Sequence, residues 1–333
     1  MTQETTAPGC KVLTQEQLDH FINRGYVVIH DCFTKAHADW VLKDVWTRMG
    51  IDPNDKSTWT KGKYHVKNGR YHLPAIRVFK IDDFAPKAYW AMCDIAGGEG
   101  KYVDQTFRWY DNPIVSLGTD EEESLPGGPP PPDGGWHIDG GSFTHFLDAP
   151  EVAMLVVPIF SDEVKHRGGA TFIAPDSVSI VAKYLLEHPE GSPTESNRMD
   201  FQAMAAQCKD FVELTAKLGD VVLVHPFMLH TGSPNSLRIP RFMTNPAMSL
   251  KEPFKYDKPK DQLNAIEKST LRALGVESLS FQITGQRKTY TNDRYKRWAE
   301  QRDYEVEQVR KIGKSMEFEM PYEALKDPNI VTL

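Results

Sequence analysis

Apolar positions along this chain recur in two rhythms, and the change from one to the other divides it. Thr14 to Gln17 carries the Ser/Thr-x-x-Glu/Gln signature of a helix start, and Leu18, Phe21 and Ile22 follow at helical spacing, with Gly25 as a C-terminal stop. Residues 26–30 read as a strand. A second helix is expected from a Thr34 cap to Gly50, burying Trp40, Val41, Val45 and Trp46, and a third from Pro86 to Gly97-Gly98. Short strands are expected at 76–80 and 107–110. From about 114 to 249 short β-branched runs (152–160, 170–173, 221–224, 242–244) alternate with Gly, Pro and Asp, the spacing of a sandwich or barrel of short strands. One helix interrupts them, capped by Asp176 and running through Val181 to Leu186. Helical spacing returns at 261–274 and 292–312.

The pattern implies a mainly β protein with flanking helices. One domain over 1–333 is expected: a helical N-terminal part with the first strands (1–113), a β core (114–250) and a helical extension (251–333). No internal repeat is visible, and 333 residues suffice to bury a large core without staples.

Composition narrows the function. A net charge of −7 offers phosphates no strong basic field, which argues against nucleic acid as a partner. Cys10, Cys32, Cys93 and Cys208 are far apart and form no CxxC pair, so a thiolate zinc site is not expected and a reducing compartment suits them. No apolar run is long enough to span a bilayer and the N-terminus lacks a signal-peptide core, so the cytoplasm is the default location. The charged stretch with Arg294, Lys296, Arg297, Glu300 and Arg302 reads as a solvated helix face, a cover for the core, or a dimer contact. One loop stands out: acidic Asp120 to Glu123, then Gly127-Gly128, four prolines from Pro129 to Pro132, and Asp133-Gly134-Gly135. It is either a solvated insertion stiffened by polyproline II or an active-site lid, since it leads directly into the next motif.

The candidate chemistry is His-x-Asp. Three His-x-acid triplets occur. His37-Ala38-Asp39 lies in an expected helix, where residues two apart do not share a face, and His188-Pro189-Glu190 sits in a turn. His137-Ile138-Asp139 lies between glycine pairs in an extended context, where side chains at i and i+2 project together and can converge on one ion. A second histidine comes from His225 or His230, which flank the strand-ending Pro226-Phe227-Met228-Leu229. Two imidazoles and a carboxylate on one octahedral face suit iron(II) and leave positions open. Arg241, on the next expected strand, can grip a carboxylate such as the far end of 2-oxoglutarate; Arg238, three residues earlier, points to the opposite face, so only one of the two faces a pocket.

At these residues the sequence resembles the phytanoyl-CoA dioxygenase family, within the iron(II)/2-oxoglutarate-dependent oxygenases. The resemblance runs from the Thr14–Phe33 opening to about Ser249 and is most specific in His225-Pro226-Phe227-Met228-Leu229-His230-Thr231-Gly232-Ser233, with Asn235 and Arg241 following. Gly168 to Pro175 resembles the strand and turn that the family places between its metal motifs. The resemblance implies a double-stranded β-helix (a cupin-like jelly roll), with His137, Asp139 and His230 as ligands of Fe(2+). It further implies 2-oxoglutarate as co-substrate held by Arg241 with Ser233 or Thr231, and Lys80 is set against a family lysine near that co-substrate. The activity implied is a dioxygenase that hydroxylates an unactivated C–H of a small specialised-metabolite or lipid-like molecule with O2, yielding succinate and CO2. Desaturation and ring closure use the same machinery, while the presence of Asp139 leaves no halide vacancy. Trp136, Phe143, His145 and Phe146 are candidates for the substrate pocket. Rival readings are a non-catalytic jelly-roll metabolite-binding protein, or a cupin-like metal-dependent hydrolase or isomerase.

Overall fold

The computed structural model describes residues 5–104, 108–193, 199–290 and 294–313. Phe107, Asn292, the side chain of Arg294 and the tail beyond 313, all part of the expectations above, lie outside the described residues.

The first helix forms where its capping box predicts. Thr14 Oγ1 accepts from the Gln17 amide at 3.2 Å, Gln17 Oε1 accepts from the Thr14 amide at 3.0 Å, and Gln15–Arg24 follows. Gly25 ends it at φ 73°, and a Cβ there would come within 2.7 Å of Met228 Cε, so the helix end packs tightly against the turn before His230. The expected helix 34–50 is two helices, Lys35–Leu42 and Val45–Met49. The break turns the Asp44 carboxylate inward onto buried Arg77, and Trp46 is left only half-buried. Pro86–Ala96 ends at Gly97 as expected. Ser177–Glu187 also forms, but Asp176 does not cap it; its Oδ2 accepts instead from the amides of Lys209 (2.7 Å) and Asp210 (3.2 Å). The helix expected from 261 starts later, as Ala265–Leu274, where Asn264 and Glu267 form a reciprocal box.

The strands pair antiparallel in short ladders. Tyr26–Ile29, Val221–Val224, Met154–Pro158 and Ala247–Met248 lie side by side in that order, and Arg241–Met243, Ile114–Ser116 and Arg70–His72 form a second ladder. A bridge between Ile159 and Met243 joins the two into one broad sheet. Opposite it lies a smaller sheet of Val212–Glu213, Thr171–Ala174 and Leu229–Gly232, extended by a bridge between His230 and His137. Thr171 Oγ1 reaches Met243 Sδ at 3.5 Å, so the two sheets face each other. The architecture is mixed: helices around many short antiparallel strands. Strands from the N-terminal third complete the broad sheet, and one cluster of buried apolar side chains runs from Leu13 to Leu271.

The last helix, Arg294–Lys311, exposes Lys296, Arg297, Glu300 and Arg302 as expected but buries another face. Gln301, Glu305 and Val309 repeat at i, i+4, i+8 and are buried. Gln301 donates to the His72 carbonyl at 3.0 Å and Glu305 pairs with Arg48 at 2.8 Å, which fixes the helix over the edge of the broad sheet. No helix among the described residues is long and apolar enough to cross a membrane.

Candidate metal centre

Between the sheets is a cavity of about 550 Å³. Leu155, Val157, Arg241 and Met243 line it from the broad sheet, and Thr171 and His230 from the small one. His137, Asp139 and His230 stand on its wall. Among the described residues these three form the one group of His, Cys or acidic side chains whose ligand atoms lie within 4.8 Å of one another.

Backbone pairing brings the histidines together across the chain. The His137 amide donates to the His230 carbonyl at 3.1 Å and the His230 amide to the His137 carbonyl at 2.9 Å, which sets the rings side by side, centroids 4.4 Å apart. Each ring is then oriented in the same way. His137 Nδ1 lies 2.8 Å from the Gly135 carbonyl, and His230 Nδ1 lies 3.1 Å from the Met228 carbonyl. A carbonyl only accepts, so Nδ1 carries the proton on the neutral ring and the Nε2 lone pair is offered. Both Nε2 atoms lie 3.7 Å from the same oxygen, Asp139 Oδ1. Gly140 permits the turn that follows: at φ 124° with His145 Cε1 only 2.5 Å from where a Cβ would be, no side chain fits.

The cluster favours positive charge. Burial pushes the Asp139 carboxyl up, but His230, His137 and Asn245 outweigh it and hold it below the usual range. Burial pushes His230 down, and Asp139 outweighs that and raises it. Two neutral imidazoles and one carboxylate, all N/O donors, fit a divalent first-row ion. The thiols offer no competing site, since burial pushes Cys32, Cys93 and Cys208 away from the thiolate form.

Arg241 is 3 % exposed and lines the cavity, yet its Nε and Nη1 have no hydrogen-bond partner. Burial, with Arg70 as a second cause, pushes its pKa down to about 9. Register explains the neighbourhood: Arg241, Ser116 and Arg70 lie opposite one another on three adjacent strands and so share a face. Arg70 also lines the cavity, and Arg70 Nε and Ser116 Oγ are likewise unpartnered. Such a row of buried donors beside a metal-ligand group fits an anion that spans from one to the other. Arg238 does not line the cavity: it sits at φ 48° and pairs with Asp120 and, at 3.5 Å, with Glu123.

The remaining candidates divide. Thr231 lines the cavity and donates to the Gly134 carbonyl at 2.8 Å. Ser233 is buried, donates to the Ala170 carbonyl at 2.8 Å and does not line it. Lys80 is exposed at the end of Val78–Lys80, also away from the cavity. Trp136, Phe143, His145 and Phe146 do not line it either. Trp136 precedes His137 and therefore points to the opposite side of the extended segment, donating to the carbonyls of Pro130 and Pro131. Phe143 and Phe146 form a separate apolar cluster with Ala149, and His145 folds back onto the Gly140 carbonyl at 2.8 Å. His225, buried and neutral, contacts Thr270 Oγ1 at 3.1 Å, with its pKa pushed down to about 3 by burial.

Sequence reasoning missed Arg70, His72, Asn245 and Trp298, all of which line the cavity. The loop before His137 contributes Pro130, Pro131 and Asp133 to its wall, and Glu122 of the acidic run is buried, accepting from the Asn235 amide at 3.0 Å. That loop is therefore not a wholly solvated insertion.

No protein-family model and no curated protein matches the chain. Over most of its length it matches solved structures of non-heme iron enzymes. The non-heme alpha ketoglutarate dependent carbocyclase SnoK from nogalamycin biosynthesis is 12% identical, with 85% of this chain and 100% of that one covered at a TM-score of 0.41. The epimerase SnoN from the same biosynthesis is 14% identical over 71% and 82%, at 0.40. EctD from S. alaskensis, solved with 2-oxoglutarate and 5-hydroxyectoine, is 14% identical over 74% and 79%, at 0.39.

Proposed function

We propose that this chain is an iron(II)- and 2-oxoglutarate-dependent oxygenase built on a double-stranded β-helix, acting as one domain on a small organic substrate. The observation that carries the reading is a coincidence in one cavity: two Nε2 atoms and one carboxylate oxygen converge, and an unpartnered buried guanidinium lines the same cavity from the facing sheet. The unmet hydrogen bonds of Arg241 suit an anion, and the convergent N/O donors suit a cation.

In this reading His137, Asp139 and His230 hold iron(II), which when bound supplies the oxygen-activating chemistry that no side chain can perform. The residues do the rest. Gly135 and Met228 carbonyls keep both imidazoles in the Nδ1-protonated tautomer, so that neither ring must reorganise to ligate. Arg241 binds the distal carboxylate of 2-oxoglutarate, with Arg70 and Ser116 beside it in the same cross-strand row. The apolar surface of Leu155, Val157 and Met243 excludes water from the space between. Hydroxylation of a C–H bond is the proposed outcome, with 2-oxoglutarate and O2 converted to succinate and CO2.

The test is direct. Metal-free protein given iron(II) and 2-oxoglutarate under air should form succinate and consume oxygen, and Asp139→Ala should reduce both to background. Succinate no higher than in a metal-free control, across candidate substrates, overturns the proposal; turnover without oxygen uptake would indicate a hydrolase or isomerase instead.

A further inference from the structure

The two oxygens of Asp139 face different neighbours. Oδ1 lies 3.7 Å from Nε2 of both histidines, whereas Oδ2 lies 3.4 Å from Nδ2 of Asn245. Asn245 lies four residues past Arg241 and, with Arg241 and Met243, lines the cavity, the alternation expected of one extended stretch showing one face to it. Its backbone position is pinned from both sides. The Thr244 amide reaches the Pro158 carbonyl at 3.4 Å, and the Pro246 carbonyl accepts from the Val156 amide at 3.0 Å. The following proline further restricts Asn245 to extended backbone. The side chain is therefore not needed to close a turn, and its amide N–H donates to Asp139.

We propose that Asn245 is a positioning residue for the metal centre: its amide N–H occupies Asp139 Oδ2, so the carboxylate offers the ion only Oδ1. This rests on the metal reading above. A carboxylate has two oxygens that can both bind a cation, and a two-oxygen grip would take up one of the positions the co-substrate and oxygen need. An amide is suited to prevent that because it donates without carrying charge, whereas an acid would repel Asp139 and a cation would neutralise it. The same extended stretch then does two jobs, with Arg241 holding the far end of the co-acid and Asn245, just past the strand Arg241–Met243, holding the near carboxylate.

Cobalt(II) is the probe, because its visible absorption reports how many donors surround it without any turnover. Metal-free wild-type protein should bind one equivalent. Asn245→Leu, close in size but without a donor, should raise the Kd for cobalt(II) about tenfold, the low end of the usual loss when a partner of a metal ligand is removed, and should change the absorption spectrum. Asn245→Gln should restore Kd and spectrum towards wild type, which a purely packing role would not predict. Melting temperature of each metal-free variant controls for folding, and Asn245→Ala replaces the leucine variant if that one fails to fold. If the leucine and alanine variants bind cobalt(II) with wild-type Kd and spectrum, the role of Asn245 is refuted while the metal centre stands. If the wild-type protein itself binds no cobalt(II), both fall.

Discussion

Among the described residues, two clusters of buried charge are each built around a pair of arginines. In the first, Arg48 and Arg77 meet Asp44, Asp111 and Glu305. Arg48 Nε bonds Glu305 at 2.8 Å and its Nη1 bonds Asp111 Oδ2 at 3.1 Å. Arg77 bonds Asp111 at 2.9 Å and also Asp44, while the Asp111 carboxylate takes the amides of Ile76 and Arg77 at 2.8 and 2.6 Å. None of these five side chains has an unpartnered polar atom. In the second, Arg70 and Arg241 face a cavity with Ser116 between them, and each of the three keeps at least one polar atom without a partner. The first cluster is complete as it stands, tying the last helix and the Asp44 helix break to the sheet edge. The second is complete only with something added. A buried arginine by itself says nothing about function; unmet hydrogen bonds on the wall of a cavity do.

The largest expected effect breaks the first cluster. Arg48→Ala leaves Asp111 and Glu305 buried without their cation and should lower unfolding free energy by about 3–5 kcal/mol in urea titration, with little change in co-substrate affinity for the protein that remains folded. Arg241→Met should do the opposite. It removes a desolvated charge that has no protein partner, so ligand-free stability should hold within about 1 kcal/mol, while Kd for 2-oxoglutarate rises about a hundredfold. Equal stability losses from the two substitutions would erase the distinction.

Smaller effects sharpen it. Arg70→Met should weaken 2-oxoglutarate about tenfold, less than Arg241, because Arg70 Nη2 is already occupied by the carbonyls of Gly232 (3.0 Å) and Ser233 (2.8 Å). Saturating 2-oxoglutarate at about ten times Kd should stabilise metal-loaded wild-type protein by about 1.4 kcal/mol in a thermal melt, and Arg241→Met should show none of it at the same concentration. A separate effect concerns buried histidines that carry no ligand. Burial lowers the folded-state pKa of His225 to about 3 and of His145 to about 4, below the ordinary value of 6.5. A lowered pKa means the unfolded chain binds the proton more tightly, so their contribution is present above pH 6.5 and is lost as pH falls towards those values. His225→Gln should flatten the acid limb of the stability curve between pH 6.5 and about 4; an unchanged slope would contradict the burial argument.

Much of the site was legible because it obeys local rules. The i, i+2 spacing of His137 and Asp139 in an extended segment puts them on one face, whereas Arg238 stays off the cavity for a reason other than strand alternation: it lies at φ 48° before the strand Arg241–Met243 begins. The same alternation turns Trp136, adjacent to His137, away from the cavity. Phe143, His145 and Phe146 lie off its lining for another reason: Gly140 turns the chain away, and nearness in sequence then ceases to mean nearness to the cavity. Arg70, Asn245 and Trp298 could not be read from sequence, since each reaches the cavity through non-local packing: a ladder to Ser116, an extended link whose two neighbours bond to Pro158 and Val156, and a helix held by Arg48. The split of the 34–50 helix is likewise a tertiary effect, because Asp44 is needed by Arg77 more than by the helix.

The central claim is that His137, Asp139 and His230 hold one iron whose co-acid is anchored by Arg241. Anaerobic titration of iron(II) into protein with 2-oxoglutarate, followed by visible absorption, tests it most directly, because a keto acid chelated to iron(II) is coloured and neither partner alone is. The wild-type protein should develop the band at one iron per chain, His230→Ala should show none, and Arg241→Met should need far more 2-oxoglutarate to reach it. A band absent from wild type, or undiminished in His230→Ala, contradicts the account.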